Sequence, residues 1–343
     1  MSLEFARALT GLLDSPVPDP ALVRAAFEAI LSGAWTPVQV GAFAATLRAR
    51  GETPEVIAEA ARALRAAMTA VEHGLPSPVL DTCGTGGDGA QTINVSTAAA
   101  VVVASCGVAV AKHGNRSISS RSGSADVVAA LGIPLELSAA DHAAVLRETR
   151  ITFLFAPAHH PALRHAAQAR RDLGVRTIFN ALGPVCNPGR ATHQLLGVYD
   201  DALRPVLARV LGELGSERAW VVRSEDGLDE ISPSAPTYVT VLDAGRVTER
   251  VVAPEDFGFA RTSVDVLRGG TPEENAEGVR AILLGELHPA RDAVLLNAAA
   301  ALVVATGCPP RAAGPMAREA LSSGRASATL HAWRAAASAR RPA

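Results

Sequence analysis

Residues 81–126 read DTCGTGGDGAQTINVSTAAAVVVASCGVAVAKHGNRSISSRSGSAD. Two polar loops, crowded with glycine, hydroxyl and amide side chains, flank the apolar run 98–104. Of the 32 Lys and Arg residues in the chain one is lysine, Lys112, and it lies here. A chain that otherwise uses arginine keeps a compact, strongly hydrated ammonium at this point. β-Branched runs at 79–82 and 108–112 bracket the first loop and the apolar run, so the stretch reads strand, glycine loop, helix, strand, second glycine loop.

The same alternation continues towards the C-terminus. Further strands are expected at 151–155, 194–199 and 219–223, with helical periodicity between them, for example at 124–131 and 138–147. Alternation of this kind predicts a mainly parallel sheet flanked by helices. The runs 238–243 and 246–252, joined through Ala244-Gly245, predict an edge hairpin. Helices at about 271–287, 290–306 and 313–338, the last broken, close the chain. Towards the N-terminus the pattern is helical only. Asp19-Pro20, Thr36-Pro37 and Thr53-Pro54 are helix starts with proline at the first helical position, and the third helix carries Ile57, Leu64 and Met68 on one face. VEHGLPSPV at 71–79 then reads as a linker or hinge. The fold class is therefore α/β, with a small N-terminal helical domain ahead of a larger domain built on a mainly parallel central sheet.

Composition narrows the function classes. With 343 residues a large core and two domains are expected. A formal net charge of −2 provides no overall basic surface for nucleic acid or anionic lipid. Cys83, Cys106, Cys186 and Cys308 form no CxxC pair, which argues for reduced thiols and against a zinc–thiolate site. No secretory leader is expected from MSLEFARALTGLLDS, and no apolar run approaches the about 20 residues of a membrane helix. A cytoplasmic location is the corresponding expectation.

Gly84-Thr85-Gly86-Gly87-Asp88-Gly89 matches GxGxxG, yet the second strand ends in Lys112-His113 where a dinucleotide site wants an acid. Asp88 within the turn would repel a bare pyrophosphate, and no Gly-Lys-Ser/Thr follows to make a Walker loop. What remains is a backbone approach to a phosphate or sugar, or a turn that needs glycine for geometry alone. Asn94-Val95-Ser96-Thr97 opens the next helix, either as an anion site built on free N–H groups or as simple N-capping. Lys112-His113-Gly114-Asn115-Arg116-Ser117-Ile118-Ser119-Ser120 follows the second strand. Two such loops beyond neighbouring strand ends together read as a phosphorylated-sugar site. Glu225-Asp226-Gly227-Leu228-Asp229-Glu230 is by spacing a solvated acidic loop; beside a phosphate site it becomes a Mg²⁺ candidate. His159-His160 on an irregular loop reads as substrate lining rather than as a metal pair. Arg164, Arg170, Arg171 and Arg176 read mostly as a solvated face, with one available to clamp a carboxylate.

Taken in order, DTCGTGGD, NVST, KHGNRSISSRSGSAD, FAPAHHPA, RTIFNALGPVCNP, DGLDEIS and GGTPEEN resemble the anthranilate phosphoribosyltransferase family of nucleoside phosphorylase-like transferases over nearly the whole chain. The resemblance implies a helical domain of residues 1–75 plus about 160–190, hinged to an α/β domain of 76–159 plus about 191–343, and a homodimer joined through the helical domain. It implies transfer of phosphoribosyl from 5-phosphoribosyl 1-diphosphate to the amine of anthranilate in tryptophan biosynthesis, releasing pyrophosphate through an oxocarbenium-like transition state, with no residue acting as a covalent or acid/base catalyst. The expected donor-binding residues are Gly84, Gly87, Asp88, Thr92, Asn94, Val95, Ser96, Thr97, Lys112, His113, Gly114, Asn115, Arg116, Ser117, Ile118, Ser119, Ser120 and Ser124. Gly84, Asn115 and Arg170 are expected at anthranilate, with His113, Pro157 and His160 along its entry. Two Mg²⁺ ions per monomer are implied, one on Ser96 and Glu230, the other on Asp229 and Glu230. Cys186, and Arg223-Ser224-Glu225 ahead of DGLDE, depart from the usual family pattern without replacing an expected ligand.

Within the same superfamily, pyrimidine nucleoside phosphorylases carry a Lys ahead of their glycine loop, which CGTGGD lacks. A nucleic-acid-binding paralogue would show a basic groove and lose Asp229-Glu230. Neither nucleic acid nor membrane is an expected partner.

Overall fold

The computed structural model describes residues 3–76, 78–87, 89–117 and 121–341. Asp88, Ile118, Ser119 and Ser120, four of the expected donor-site residues, lie outside the described residues. Four helices come first: α1 (Phe5–Asp14), α2 (Pro20–Leu31), α3 (Pro37–Arg50) and α4 (Pro54–Ala66). Their starts are chemically explicit. The Asp19 carboxylate accepts from Ala21 N–H, Thr36 and Gln39 form a capping box, and Thr53 Oγ1 accepts from Val56 N–H. α4 stops two residues short of Met68, because the chain is drawn away. Thr69 N–H donates to the His159 carbonyl at 2.8 Å and Val71 N–H to the Pro188 carbonyl at 2.9 Å. The proline-rich link is thus strapped down rather than loose: His73 Nε2 lies 3.0 Å from the Gly189 carbonyl, and Arg147 donates to the His73 carbonyl.

The alternating region follows as β1 (Val79–Asp81), α5 (Val95–Ser105), β2 (Ala109–Gly114), α6 (Ser124–Ala130), α7 (Ala139–Thr149), β3 (Ile151–Phe155), α8 (Ala156–His159), α9 (Arg164–Leu173), α10 (Ile178–Val185), β4 (His193–Gly197), α11 (Leu203–Glu213) and β5 (Arg218–Ser224). The hairpin β6 (Thr237–Asp243) and β7 (Arg246–Val252) turns at Ala244-Gly245, both at positive φ. α12 (Pro272–Leu283), α13 (Arg291–Thr306), α14 (Pro310–Ser322) and α15 (Arg325–Ser338) complete it. The expected final helix starts at Pro310, earlier than its pattern indicated, and breaks at Gly324 in the left-handed region.

The seven strands among the described residues form one sheet in the order β3-β2-β1-β4-β5-β6-β7. It is parallel from β3 to β5 and antiparallel through the hairpin. Strand order reverses beside β1, whose neighbours are β2 and β4, and the crevice beyond a reversal is where open α/β sheets bind ligands. On one face the Ala/Val-rich α5 is buried except at Ser96 and Ser105, and α13 is buried from Ala293 to Ala305. Small side chains let these two helices pack closely under the sheet. On the other face, Leu196, Val198 and Val221 share a core with α11 and with Phe27, Phe43, Leu47 and Leu64 of the N-terminal helices. Ala166 and Ala169 of α9 and Ile178, Phe179 and Leu182 of α10 belong to that same core. Among the described residues no single helix is long and apolar enough to cross a membrane.

Candidate active site at the β1 and β2 loops

The first glycine loop leaves β1 and, among the described residues, is held by Gly197, Tyr199, Asp229 and Arg176. Thr85 N–H donates to the Gly197 carbonyl at 2.8 Å, and Tyr199 N–H donates to Thr85 Oγ1 at 3.0 Å. Gly86 N–H donates to Asp229 Oδ2 at 3.2 Å, and Arg176 Nη2 donates to the Gly87 carbonyl at 2.7 Å. The Arg176 guanidinium stacks on Tyr199, 3.5 Å from the ring centroid. Arg176 is therefore not part of a solvated arginine face; it ties the segment between α9 and α10 to the glycine loop. Glycine is required where the acidic loop closes in. A Cβ on Gly197 would stand 1.6 Å from the Asp229 carbonyl oxygen, and one on Gly84 would stand 2.9 Å from Asp229 Oδ2.

That approach divides the four carboxylates of the acidic loop. Asp226 is structural: burial alone would raise its pKa, but hydrogen bonds from the Ser224, Ser232 and Ser234 hydroxyls outweigh burial and hold it below the usual range. Glu225 is exposed. Asp229 and Glu230 instead line a cleft with Thr82, Gly84, Ser96 and Gly197. The solvated-loop reading thus holds for only part of the run.

Ser96 reaches the cleft from the N-terminus of α5. Asn94 is the N-cap residue by position, yet its side chain makes no cap hydrogen bond. Its Oδ1 accepts from Asn275 Nδ2 at 3.0 Å instead. Val95 and Thr97 are buried in the core, and Thr97 Oγ1 has no partner among the described residues. Thr92 forms an isolated bridge with Arg268. Lys112 is 2% exposed. Its Nζ donates to the Thr82 carbonyl at 2.8 Å and to Ser96 Oγ at 3.2 Å, so the ammonium stands behind the cleft and orients a cleft residue. Beside it, Asp81 is fully buried and accepts from His113 N–H and from Asn187 Nδ2. Burial raises the Asp81 pKa against the opposing pull of Lys112; burial lowers that of Lys112 against the carboxylates around it.

The second loop is organised by Asp126, which pairs with Arg116 at 2.7 Å and accepts from Ser117 N–H and Gly123 N–H. Ser124 Oγ donates to the Asn115 carbonyl, and Asn115 Oδ1 accepts from Arg116 N–H. A Cβ on Gly114 would meet Ser124 Oγ at 2.4 Å, which packs this loop onto α6. The expected acceptor residues sit on three elements: Gly84 after β1, Asn115 after β2 and Arg170 on α9. The half-buried Arg170 faces the Phe179 ring at 5.6 Å and makes no hydrogen bond or ion pair among the described residues.

His159 and His160 point to different neighbours. His159 Nδ1 lies 2.9 Å from the Thr69 carbonyl with its ring against His142, whereas the His160 ring stacks near His113 at 5.2 Å. Among the described residues no three His, Cys, Asp or Glu side chains converge to hold a metal. Burial pushes His142 and His160 down to about 4, and lowers His159 and His113 as well. The unfolded chain protonates these rings first, near 6.5, so stability is complete above that pH and is lost as pH falls towards about 4. Each of His142 and His160 is expected to remove about 3 kcal/mol over that window. Urea denaturation at steps from pH 7 to 4.5 measures this; a flat midpoint would contradict it.

Comparison with known proteins places these features among relatives. Residues 76–327 match the model of the glycosyl transferase family α/β domain, and residues 7–68 that of the same family's helical bundle domain. The anthranilate phosphoribosyltransferase of Methylobacterium radiotolerans is 52% identical over 313 residues, covering 91% of this chain and 90% of that protein. The crystal structure of anthranilate phosphoribosyltransferase from Thermus thermophilus superimposes with a TM-score of 0.89 at 39% identity, covering 97% and 99% of the two chains. That from Saccharomyces cerevisiae, in complex with PRPP and Mg, has a TM-score of 0.89 at 29% identity over 98% of both chains. The yeast enzyme with 4-fluoroanthranilate gives 0.88 at 29% identity, again over 98% of both.

Proposed function

This chain belongs to the anthranilate phosphoribosyltransferase family, and from that membership we propose that it moves phosphoribosyl from 5-phosphoribosyl 1-diphosphate to the amine of anthranilate in tryptophan biosynthesis. The observation that carries the reading is the meeting of Gly84, Ser96, Asp229 and Glu230 in one cleft at the sheet's point of reversal. The donor lies across the loops after β1 and β2, with the α5 N-terminus offering N–H groups to its phosphates.

The donor set of Ser96, Asp229 and Glu230 is all oxygen and holds only two carboxylates. That suits Mg²⁺, which completes its shell with water and substrate phosphates. Two ions fit the family pattern, one on Ser96 and Glu230 and one on Asp229 and Glu230. When bound they neutralise charge on the departing diphosphate. Loss of pyrophosphate leaves an oxocarbenium-like ribose, so the protein supplies positioning and electrostatics rather than a strong base. The aromatic amine is already a competent nucleophile. Arg170 clamps the anthranilate carboxylate, with Asn115 and Gly84 at the ring, and His113, Pro157 and His160 lining the approach. We further propose a helical unit of residues 1–75 plus about 160–190, through which two copies associate. Its exposed Leu13, Val17 and Val38 supply apolar surface for the contact.

Purified protein with Mg²⁺ and the diphosphate donor is expected to quench anthranilate fluorescence; no decay with folded protein at saturating substrates would overturn the reading. Arg170→Ala is expected to raise the anthranilate KM by roughly tenfold to a hundredfold, with the donor KM little changed. An effect confined to the donor would show the arginine to be misassigned.

A further inference from the structure

We infer that Asn275, in the first turn of α12, is a positioning residue that sets the orientation of the Asn94 amide and so presents a hydrogen-bond donor to the diphosphate; this rests on the donor-site reading above. Asn275 is 3% exposed. Gly270 N–H donates to its Oδ1 at 2.7 Å. With that oxygen committed, the Asn275 amide can only donate onwards, and its Nδ2 reaches Asn94 Oδ1 at 3.0 Å. The oxygen end of the Asn94 amide is thereby turned towards Asn275. What it offers at the α5 N-terminus is its pair of Nδ2 protons rather than lone pairs.

Direction matters because an amide is nearly symmetrical in shape and opposite in chemistry at its two ends. A phosphate oxygen accepts from an Nδ2 proton and repels a carbonyl oxygen. Asn94 makes no cap bond of its own, and among the described residues the bond from Asn275 is the one that fixes which way its amide faces. A chain of donation from Gly270 through Asn275 to Asn94 supplies that information. The backbone supports the chain. Ile93 N–H donates to the Leu267 carbonyl at 2.7 Å, and Gly269 N–H to the Gln91 carbonyl at 2.9 Å. Gly269 passes so close that a Cβ there would lie 2.6 Å from the Thr92 carbonyl carbon. Segment 267–275 therefore grips 91–94 along its length, and the two amides form the side-chain end of the grip. The Thr271–Glu274 capping box fixes the start of α12 and with it the position of Asn275.

Asn275→Asp keeps the acceptor for Gly270 N–H and converts the donor facing Asn94 into an acceptor. The Asn94 amide then turns over and points its oxygen at the diphosphate. Donor Kd by calorimetry with Mg²⁺, and donor KM, are expected to rise about tenfold or more, while the anthranilate KM at saturating donor stays within about twofold. Asn275→Ala, which leaves Asn94 free to turn, is expected to cost about threefold. In an Asn94→Ala background either substitution is expected to change donor affinity by less than about twofold, because the amide to be oriented is gone. An equal penalty with and without Asn94 would mean that added charge or loosened structure acts directly, and would overturn the relay. Should Asn275→Asp not fold, the Asn275→Ala cycle reads the same coupling. Wild-type affinity in the Asn275 variants, with the parent protein binding donor, would overturn the relay and leave the function standing. A parent protein that binds no donor would overturn the donor site itself, and the relay with it.

Discussion

Lys112→Met is expected to destabilise the fold by about 3–5 kcal/mol at pH 7, before any question of catalysis. The ammonium is buried at 2% exposure and Asp81 beside it is fully buried. Asp81 keeps its hydrogen bonds from His113 N–H and Asn187 Nδ2 in the variant, but its negative charge loses the cation that opposes burial. The Thr82 carbonyl and Ser96 Oγ lose the Nζ donor as well. The sign of the pH dependence identifies the cause. Without Lys112 the folded pKa of Asp81 rises further above its unfolded value. The difference between variant and parent is therefore largest at neutral pH and shrinks as pH falls and the carboxyl takes up a proton. Taking the difference also removes the contributions of His142, His159 and His160, which Lys112 does not perturb, whereas His113, whose pKa Lys112 helps to lower, is relieved in the variant. Denaturation of both from pH 7.5 to 5 measures this. Parent-like stability, with only donor binding impaired, would show that Lys112 acts on the ligand and not on the interior.

What was legible in the sequence was local. Asp19, Thr36 and Thr53 announce their helices because a cap and a proline act within one turn. The hairpin at Ala244-Gly245 follows from a backbone conformation that few residues accept, and the last helical run reads as broken, although its break at Gly324 is located by the structure. Alternation of strands and helices points to the mainly parallel sheet, and two loops after adjacent strands point to the cleft proposed as the donor site. Contacts between distant segments leave no such periodic trace. Packing of α9 and α10 on the N-terminal helices came only through family resemblance. Arg176 looked solvated because an arginine on a helical run usually is; its place over Tyr199 and on the Gly87 carbonyl depends on a loop 89 residues away. Lys112 is singular in composition, but burial is a property of the surrounding fold, and its ammonium is turned inward to Thr82 and Ser96. Gly197 does carry a signal in the sequence: a glycine at a strand end marks a close backbone approach, here by Asp229.

Glu230→Gln is expected to lower Mg²⁺-supported turnover by about a hundredfold to a thousandfold, and to raise the Mg²⁺ concentration needed for half-activation, with the thermal midpoint nearly unchanged. The substitution keeps the shape of the side chain and removes its charge, which is what a hard cation bound by few protein oxygens requires. Glu230 is the more direct test because its neighbour also holds the glycine loop. Asp229 accepts from Gly86 N–H, and its backbone is pressed against Gly197, so Asp229→Asn would disturb the glycine loop along with any metal. Ser96 is entangled with Lys112 in the same way. If Glu230 holds both ions, its loss cannot be masked by the other two ligands, and the defect should ease as Mg²⁺ is raised. If the loop is only a solvated acidic turn, Glu230→Gln leaves both kcat and the Mg²⁺ response as they were. Steady-state rates across a Mg²⁺ titration, with a melting curve on the same preparation, distinguish the two, and an unchanged Mg²⁺ response would remove Glu230 from the metal site.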